Sequence, residues 1–227
     1  MNTPNHRRNS ALGALALLLA ACGGNAPAPE SRLLAVDGIE IALSEVEPYI
    51  EFLSSFMPNA GRKTSVQLVL DQYLLPLRLA QRAFPALRAE QRARAEALCS
   101  VATNVVELEQ CAEGLPPHMK DVRAVRRPHA QLPVAIFLFD QMLQGSVSPP
   151  IEVPTGYFVV GCLEMHESQA VLEDYCKALQ IGFVTHSRAD WEKWIEAEHA
   201  RVADKVTFVH PDYRDALPTW LKPPKLP

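Results

Sequence analysis

Asp37-Gly38 is the tightest constraint on how this chain can fold. The pair stands between two short apolar-rich runs, Leu33-Leu34-Ala35-Val36 and Ile39-Glu40-Ile41-Ala42. Asp and Gly both tolerate the positive φ of a two-residue hairpin turn, so the spacing predicts a tight antiparallel hairpin. A helix should start at once. Ser44 precedes Glu47 by three residues, a capping-box spacing, and Pro48 falls within the first turn. Val46, Ile50, Leu53 and Phe56, with Tyr49 and Phe52 beside them, make one apolar face, which ends at Met57-Pro58-Asn59-Ala60-Gly61.

The pattern then stays helical for a long stretch. Thr64, with Gln67 three positions on, reads as a second capped start. Val66, Val69, Leu70, Tyr73, Leu74, Leu77 and Phe84 carry its stripe. Pro76 lies inside and should kink it, because its ring removes a backbone donor. Residues 86–98 are rich in Ala, Arg, Glu and Gln, strong helix formers, and the helix should continue, broken, to Glu113. Arg88, Arg92 and Glu96 at i, i+4 spacing read as a solvated flank. Residues 114–131 are proline-bearing and basic, and read as a linker or exposed loop.

Beyond them, residues 133–143 read as a buried helix and Gln144-Gly145-Ser146 as a turn. Ile151-Glu152-Val153 and Tyr157-Phe158-Val159-Val160 read as antiparallel strands around Pro154-Thr155-Gly156. A helix over 168–179, a strand over 181–185 and a helix over 190–204 carrying Trp191, Trp194 and Ile195 should follow. The tail after His210 should pack as irregular chain. The expected class is α+β, mainly helical. Its expected parts are a leader (1–21), a tether (22–31), a helical region with a short hairpin (32–113), the linker (114–131), a small α/β unit (132–208) and a Pro-rich tail (209–227).

The leader sets the expected compartment. Arg7 and Arg8 precede an apolar run over residues 11–21, too short for the ~20 residues that cross a bilayer. Leu19-Ala20-Ala21-Cys22 resembles the bacterial lipobox, which implies cleavage ahead of Cys22 and acylation of its thiol. Two or three acyl chains anchor stably where one does not. The expected location is the periplasm, with the lipid in the outer membrane. Cleavage takes the net charge from -4 to about -6, and with no dominant basic patch nucleic acid is not an expected partner.

Of the 5 cysteines, Cys99, Cys111, Cys162 and Cys176 remain once Cys22 is acylated. An oxidising compartment favours disulfides, and the sequence-local pairing is Cys99–Cys111 with Cys162–Cys176. Free buried thiols and metal ligation are the alternatives. The first bridge needs a helix break near Thr103-Asn104, since twelve residues of unbroken helix hold their ends ~18 Å apart.

Chemistry-bearing motifs are few. The 7 histidines show no HExxH or His-x3-His spacing, so a zinc site from His166 and His199 is less expected than surface histidines. Ser146 and Ser148 lack a Gly-x-Ser-x-Gly context, and no phosphate loop or dinucleotide fingerprint occurs. No catalytic residue, metal ligand or cofactor is expected.

Two segments resemble a known group. Residues 36–46 (VDGIEIALSEV) and 70–81 (LDQYLLPLRLAQ) are similar to the opening of periplasmic chaperones of the SurA/PpiD type. Residues 139–160 resemble the last helix and final two strands of a parvulin peptidyl-prolyl isomerase, through Gly145, Val147, Ser148, Pro150, Gly156 and Tyr157. The resemblance implies a lipid-anchored folding factor whose partners are unfolded or partly folded envelope polypeptides. It makes Phe137, Phe139, Met142, Tyr157, Phe158 and His186 the candidate peptide-binding residues. Parvulins carry a histidine where this chain has Phe158, and the opening strand is missing before the last helix. A rearranged domain would take that strand from Gly182-Phe183-Val184-Thr185-His186 and the next helix from residues 190–204. The alternative is a non-catalytic assembly lipoprotein that holds one envelope partner.

Overall fold

The computed structural model describes residues 31–168 and 171–223; the leader, Cys22 and nearly all of the tether lie outside them. The chain is α+β, with two small antiparallel sheets among many helices. Among the described residues, no helix is long and apolar enough to cross a membrane.

The first sheet has the order β2-β1-β7. Strands β1 (Arg32–Val36) and β2 (Ile39–Ala42) form the hairpin, with Val36 opposite Ile39 and positive φ at Asp37 (49°) and Gly38 (78°). β7 (Val206–Val209) pairs with the other edge of β1, so the C-terminal part of the chain completes the N-terminal sheet. Helices α1 (Leu43–Phe56), α2 (Arg62–Val69) and α3 (Leu75–Ala83) pack on it. Leu34, Ile41, Val46, Leu70, Leu75 and Leu79 are fully buried in this core, joined by Val202, Val206, Val209 and Leu217 from the far end of the chain.

The helix starts differ from the expected caps. α1 leaves β2 directly, and Glu45, not Glu47, accepts from the N–H of Ala42 at 2.9 Å. Ser44 lies inside the helix, because Ala42 is still paired with Arg32 when the helix begins. α2 starts at Arg62 after Gly61, with no side-chain cap, and Gln67 instead donates to the carbonyl of Leu217 at 3.0 Å. A wide π turn over Leu70–Leu74 leads into α3 with no break in helical backbone, and Pro76, which has no N–H to donate, follows directly on this turn.

The second sheet has the order β3-β6-β5-β4: β3 (Lys120–Arg126), β6 (Tyr175–Val184), β5 (Gly156–His166) and β4 (Ile151–Val153). Helices α4 (Pro85–Val101) and α5 (Val105–Glu113) cover one face. The break between them holds Asn104, whose side chain accepts from the N–H groups of Val106 and Glu107, both at 3.1 Å. A short helix, α6 (Leu132–Ile136), runs into a π turn (Phe137–Gln141) and covers the other face.

Three expectations are corrected here. Residues 114–131 are not only a linker, for they contain β3, an edge strand with Val125 as its one buried residue. Residues 171–179 do not form the expected helix. A short 3-10 turn leads into β6, whose Cys176 and Ala178 face one core while Leu179, Ile181 and Phe183 fill the other. The packing also crosses the expected 113/132 division. α4 and α5 belong with the second sheet, while α7 (Arg188–Val202) sets Trp194, Ile195 and Val202 against the first core.

Candidate functional site

Consecutive residues of a strand point to opposite faces, and this divides the six candidate residues. Phe137, Phe139, Met142 and Phe158 gather on the α6 side of the second sheet, around Val134, Leu138, Ile151, Val160 and Cys162. Tyr157 lies on the opposite face among α4 and α5 residues. Its hydroxyl donates to Glu152 at 3.0 Å, and burial, then the Glu152 charge, pushes its pKa up. His186 lies beyond the end of β6. Its ring sits 4.3 Å from that of Phe84, and its Nδ1 is 3.0 Å from the Thr185 hydroxyl. The structure therefore joins four candidates and separates two.

On the α6 side, a groove of about 360 Å³ opens where the π turn ends. Phe139, Met142, Leu143 and Met165 form one wall, and Arg127, Gln144, Glu167, Ser168 and Asp174 form a polar one. Leu143 is 78% exposed, unusual for so large an aliphatic side chain. The Arg127 guanidinium lies 4.7 Å above the Phe139 ring and makes ion pairs with Asp140 (3.4 Å) and Asp174 (3.6 Å). A cation over an aromatic face holds that ring in place without filling the groove. Thioethers are flexible and polarisable, so a wall with two of them accommodates varied apolar side chains.

A smaller niche of about 30 Å³ lies on the same face, between Phe158, Gln180, Arg123, Gln131 and Val134. Phe158 stands opposite Gly182, and its ring lies so close that a Cβ on Gly182 would be 3.2 Å from it. Gln180 is 5% exposed, and its amide nitrogen has no hydrogen-bond partner. A buried donor without an acceptor is costly, and this one marks a position that can take an oxygen.

Residues 182–184, which a rearranged domain would need beside the closing strand, do lie there, but the helix expected over residues 190–204 does not join them. Gly182, Phe183 and Val184 lie beside Phe158, Tyr157 and Gly156, and the Thr185 N–H donates to the Thr155 carbonyl at 2.9 Å. Helix α7, however, packs on the other sheet.

Gly145-Ser146-Val147-Ser148 runs alongside β5, with Val147 bridged to Gly161. Ser148 is buried and its hydroxyl accepts from the N–H of Val160 at 2.9 Å, so it holds backbone together.

The far end of the hairpin β4–β5 is held by a residue read as solvated. Arg88 of α4 is 3% exposed. Its guanidinium donates to the carbonyls of Pro154 (2.7 Å) and Val153 (2.9 Å) and to Glu152 (2.9 Å). Glu152 also accepts from Gln81 at 3.1 Å. Burial raises the Glu152 pKa, but the Arg88 and Gln81 hydrogen bonds outweigh it and the net shift is downward. Arg92 and Glu96 do form the expected exposed pair, at 2.8 Å.

All four described cysteines are thiols. Cys162 and Cys176 are buried beneath the groove face with their sulfurs 3.1 Å apart, and burial, then the contact with Cys162, pushes the Cys176 thiol well above its usual range. Cys99 and Cys111 border the core on the other face. The histidines weighed for zinc do not meet, since His166 stacks on Tyr175 and His199 on Trp220. Among the described residues, no group of three or more His, Cys, Asp or Glu side chains could hold a metal ion.

Sequence reasoning missed Leu143, Met165, Arg127 and Gln180. An irregularity of register between Cys162 and Glu164 returns Met165 to the groove face, which period-two counting does not reveal. Comparison with protein-family models, curated proteins and solved structures finds no match to this chain.

Proposed function

We propose that this chain is a lipid-anchored, periplasmic polypeptide-binding folding factor of the SurA/parvulin kind that binds without isomerising. The groove lined by Phe139, Met142, Leu143 and Met165 carries the reading. It sets an adaptable apolar wall against a polar one that carries Arg127, Glu167 and Asp174, suited to chain segments that present both apolar and polar side chains. The order of helix, turn and two strands over residues 137–160 supports the kinship. Phe158 occupies the strand position where a parvulin has histidine, and the polar side chains around the niche beside it are Arg123, Gln131 and Gln180, none of them histidine. Prolyl isomerisation is accelerated by desolvating and twisting the amide. A niche of about 30 Å³ is too small to enclose a proline ring.

Aggregation of several unrelated unfolded proteins, followed by light scattering, tests this reading. The wild-type chain should suppress aggregation of all of them, and Met142→Glu with Leu143→Glu should remove most of the effect. A proline-peptide assay should show no turnover above background. Turnover equal to that of an intact parvulin would overturn the non-catalytic assignment. Failure to protect any client, together with one stoichiometric partner in a pull-down, would establish an assembly lipoprotein instead.

A further inference from the structure

We infer that the free edge of β3 receives an extended, acidic polypeptide segment as a fifth strand of the second sheet. The inference rests on the polypeptide-binding reading above and names the chemistry of the client. β3 is seven residues long and pairs with β6 from Lys120 opposite Ile181 to Arg126 opposite Tyr175. Among the described residues, no strand pairs with its other edge. Such an edge presents a row of backbone donors and acceptors to an incoming chain. The opposite edge of the sheet is less available, because β4 has three residues and Arg88 already occupies the carbonyl of Val153.

Charge selects the occupant. Lys120, Arg123 and Arg126 lie on the strand, with His129 just beyond; Asp121, the strand's one acid, pairs with Arg123 at 3.3 Å, and Arg127 is already held by Asp140 and Asp174. A second copy of β3 would bring Arg and Lys against Arg and Lys, so self-pairing is disfavoured, as is pairing with basic segments. An acidic segment meets the opposite potential.

Two cavities on this edge point the same way. One of about 310 Å³ is lined by Arg123, Ala124, Val125, Arg126 and His129. The other is the niche of Arg123 and Gln180, whose buried amide lacks an acceptor. A carboxylate side chain reaching across β3 from the added strand supplies that acceptor.

Isothermal titration calorimetry of the full chain with three short synthetic peptides tests the inference. The peptides are alternating Val–Glu, alternating Val–Lys, and Val–Glu with alternate backbone nitrogens methylated. Val–Glu should bind, with Val–Lys and the methylated peptide at least about tenfold weaker. Arg123→Glu with Arg126→Glu, both exposed, should weaken Val–Glu by tenfold or more while leaving the circular dichroism unchanged. Gln180→Leu should weaken it several-fold. Equal binding of Val–Lys, or of the methylated peptide, overturns the inference. If the double variant still protects unfolded clients while Val–Glu never binds, the edge proposal fails alone. If neither activity is present, the polypeptide-binding reading fails with it.

Discussion

Arg88 donates to the Pro154 carbonyl at 2.7 Å, and with it joins a helix to the turn between β4 and β5. The same guanidinium reaches Val153 and Glu152, each at 2.9 Å. Removing it leaves two buried carbonyls and a partly buried carboxylate without their donor. Arg88→Leu is expected to lower stability by about 3 kcal/mol, read by urea denaturation. Arg88→Lys should recover only part of this, since a single ammonium cannot span the same acceptors.

Gly156 has φ of 149°, and a Cβ there would lie 2.2 Å from the Phe183 carbonyl oxygen. Neither backbone can yield without breaking the β5–β6 ladder. Gly156→Ala should therefore lower stability by roughly 3 kcal/mol or more, seen as a fall in Tm. Gly161→Ala is a useful contrast. Its Cβ would meet the ends of the Leu108 and Val105 side chains, which can move, so its Tm should fall less.

Asp37 predicts the acid limb of the stability curve. Its carboxylate meets Arg82 at 2.6 Å, Arg201 at 2.8 Å and Lys205 at 3.5 Å. The Arg201 hydrogen bond, opposed by partial burial and reinforced by Arg82, lowers its pKa to about 2. An unfolded Asp titrates near ~3.9, so the folded state holds the proton less tightly than the unfolded state. The stabilisation is complete above that value and is lost as pH falls through about 2. Asp37→Asn keeps the turn's tolerance of positive φ but loses the charge. The Tm difference between wild type and this variant should be constant at neutral pH and shrink steadily over that acidic window. A difference that does not change there would mean that the ion pairs contribute nothing.

The two sulfurs of Cys162 and Cys176 are poised for oxidation. At 3.1 Å they need move only about 1 Å to bond. Non-reducing peptide mapping after treatment with oxidised glutathione should recover these two cysteines in one linked peptide. The bridge should raise stability by roughly 3 kcal/mol for a loop of this size, reversed by reductant. Oxidation should be slow in the native state, because burial keeps the Cys176 thiol protonated. Recovery of Cys162 joined to a different cysteine would refute this pairing.

Much of the first sheet was legible because its signals are local. Asp37-Gly38 specifies a turn between its own neighbours, and in the second sheet Pro154-Thr155-Gly156 does the same for β4 and β5. β3 was illegible because an edge strand with one buried valine has the composition of a loop. β6 was misread because it is buried on both faces and includes Cys176 and Gln180, which mask a strand's usual pattern. Arg88 looked solvated because its acceptors come from a turn far along the chain, and no local rule announces them. At the site, Phe137, Phe139 and Met142 were grouped correctly by being near one another in sequence. Tyr157 and Phe158 could have been separated without any structure, since adjacent strand residues do not share a face.

The pairing of β1 with β7 has a consequence for how the molecule is made. The Thr207 hydroxyl donates to the Ala35 carbonyl across a separation of 172 residues, so the first hairpin is flanked by a strand synthesised far later. Until that strand emerges, one edge of β1 is bare and the core beneath it lacks Val206 and Val209. Contacts so distant along a polypeptide are slow to form. Until Val209 has been made, a nascent chain of this design leaves its first sheet one strand short.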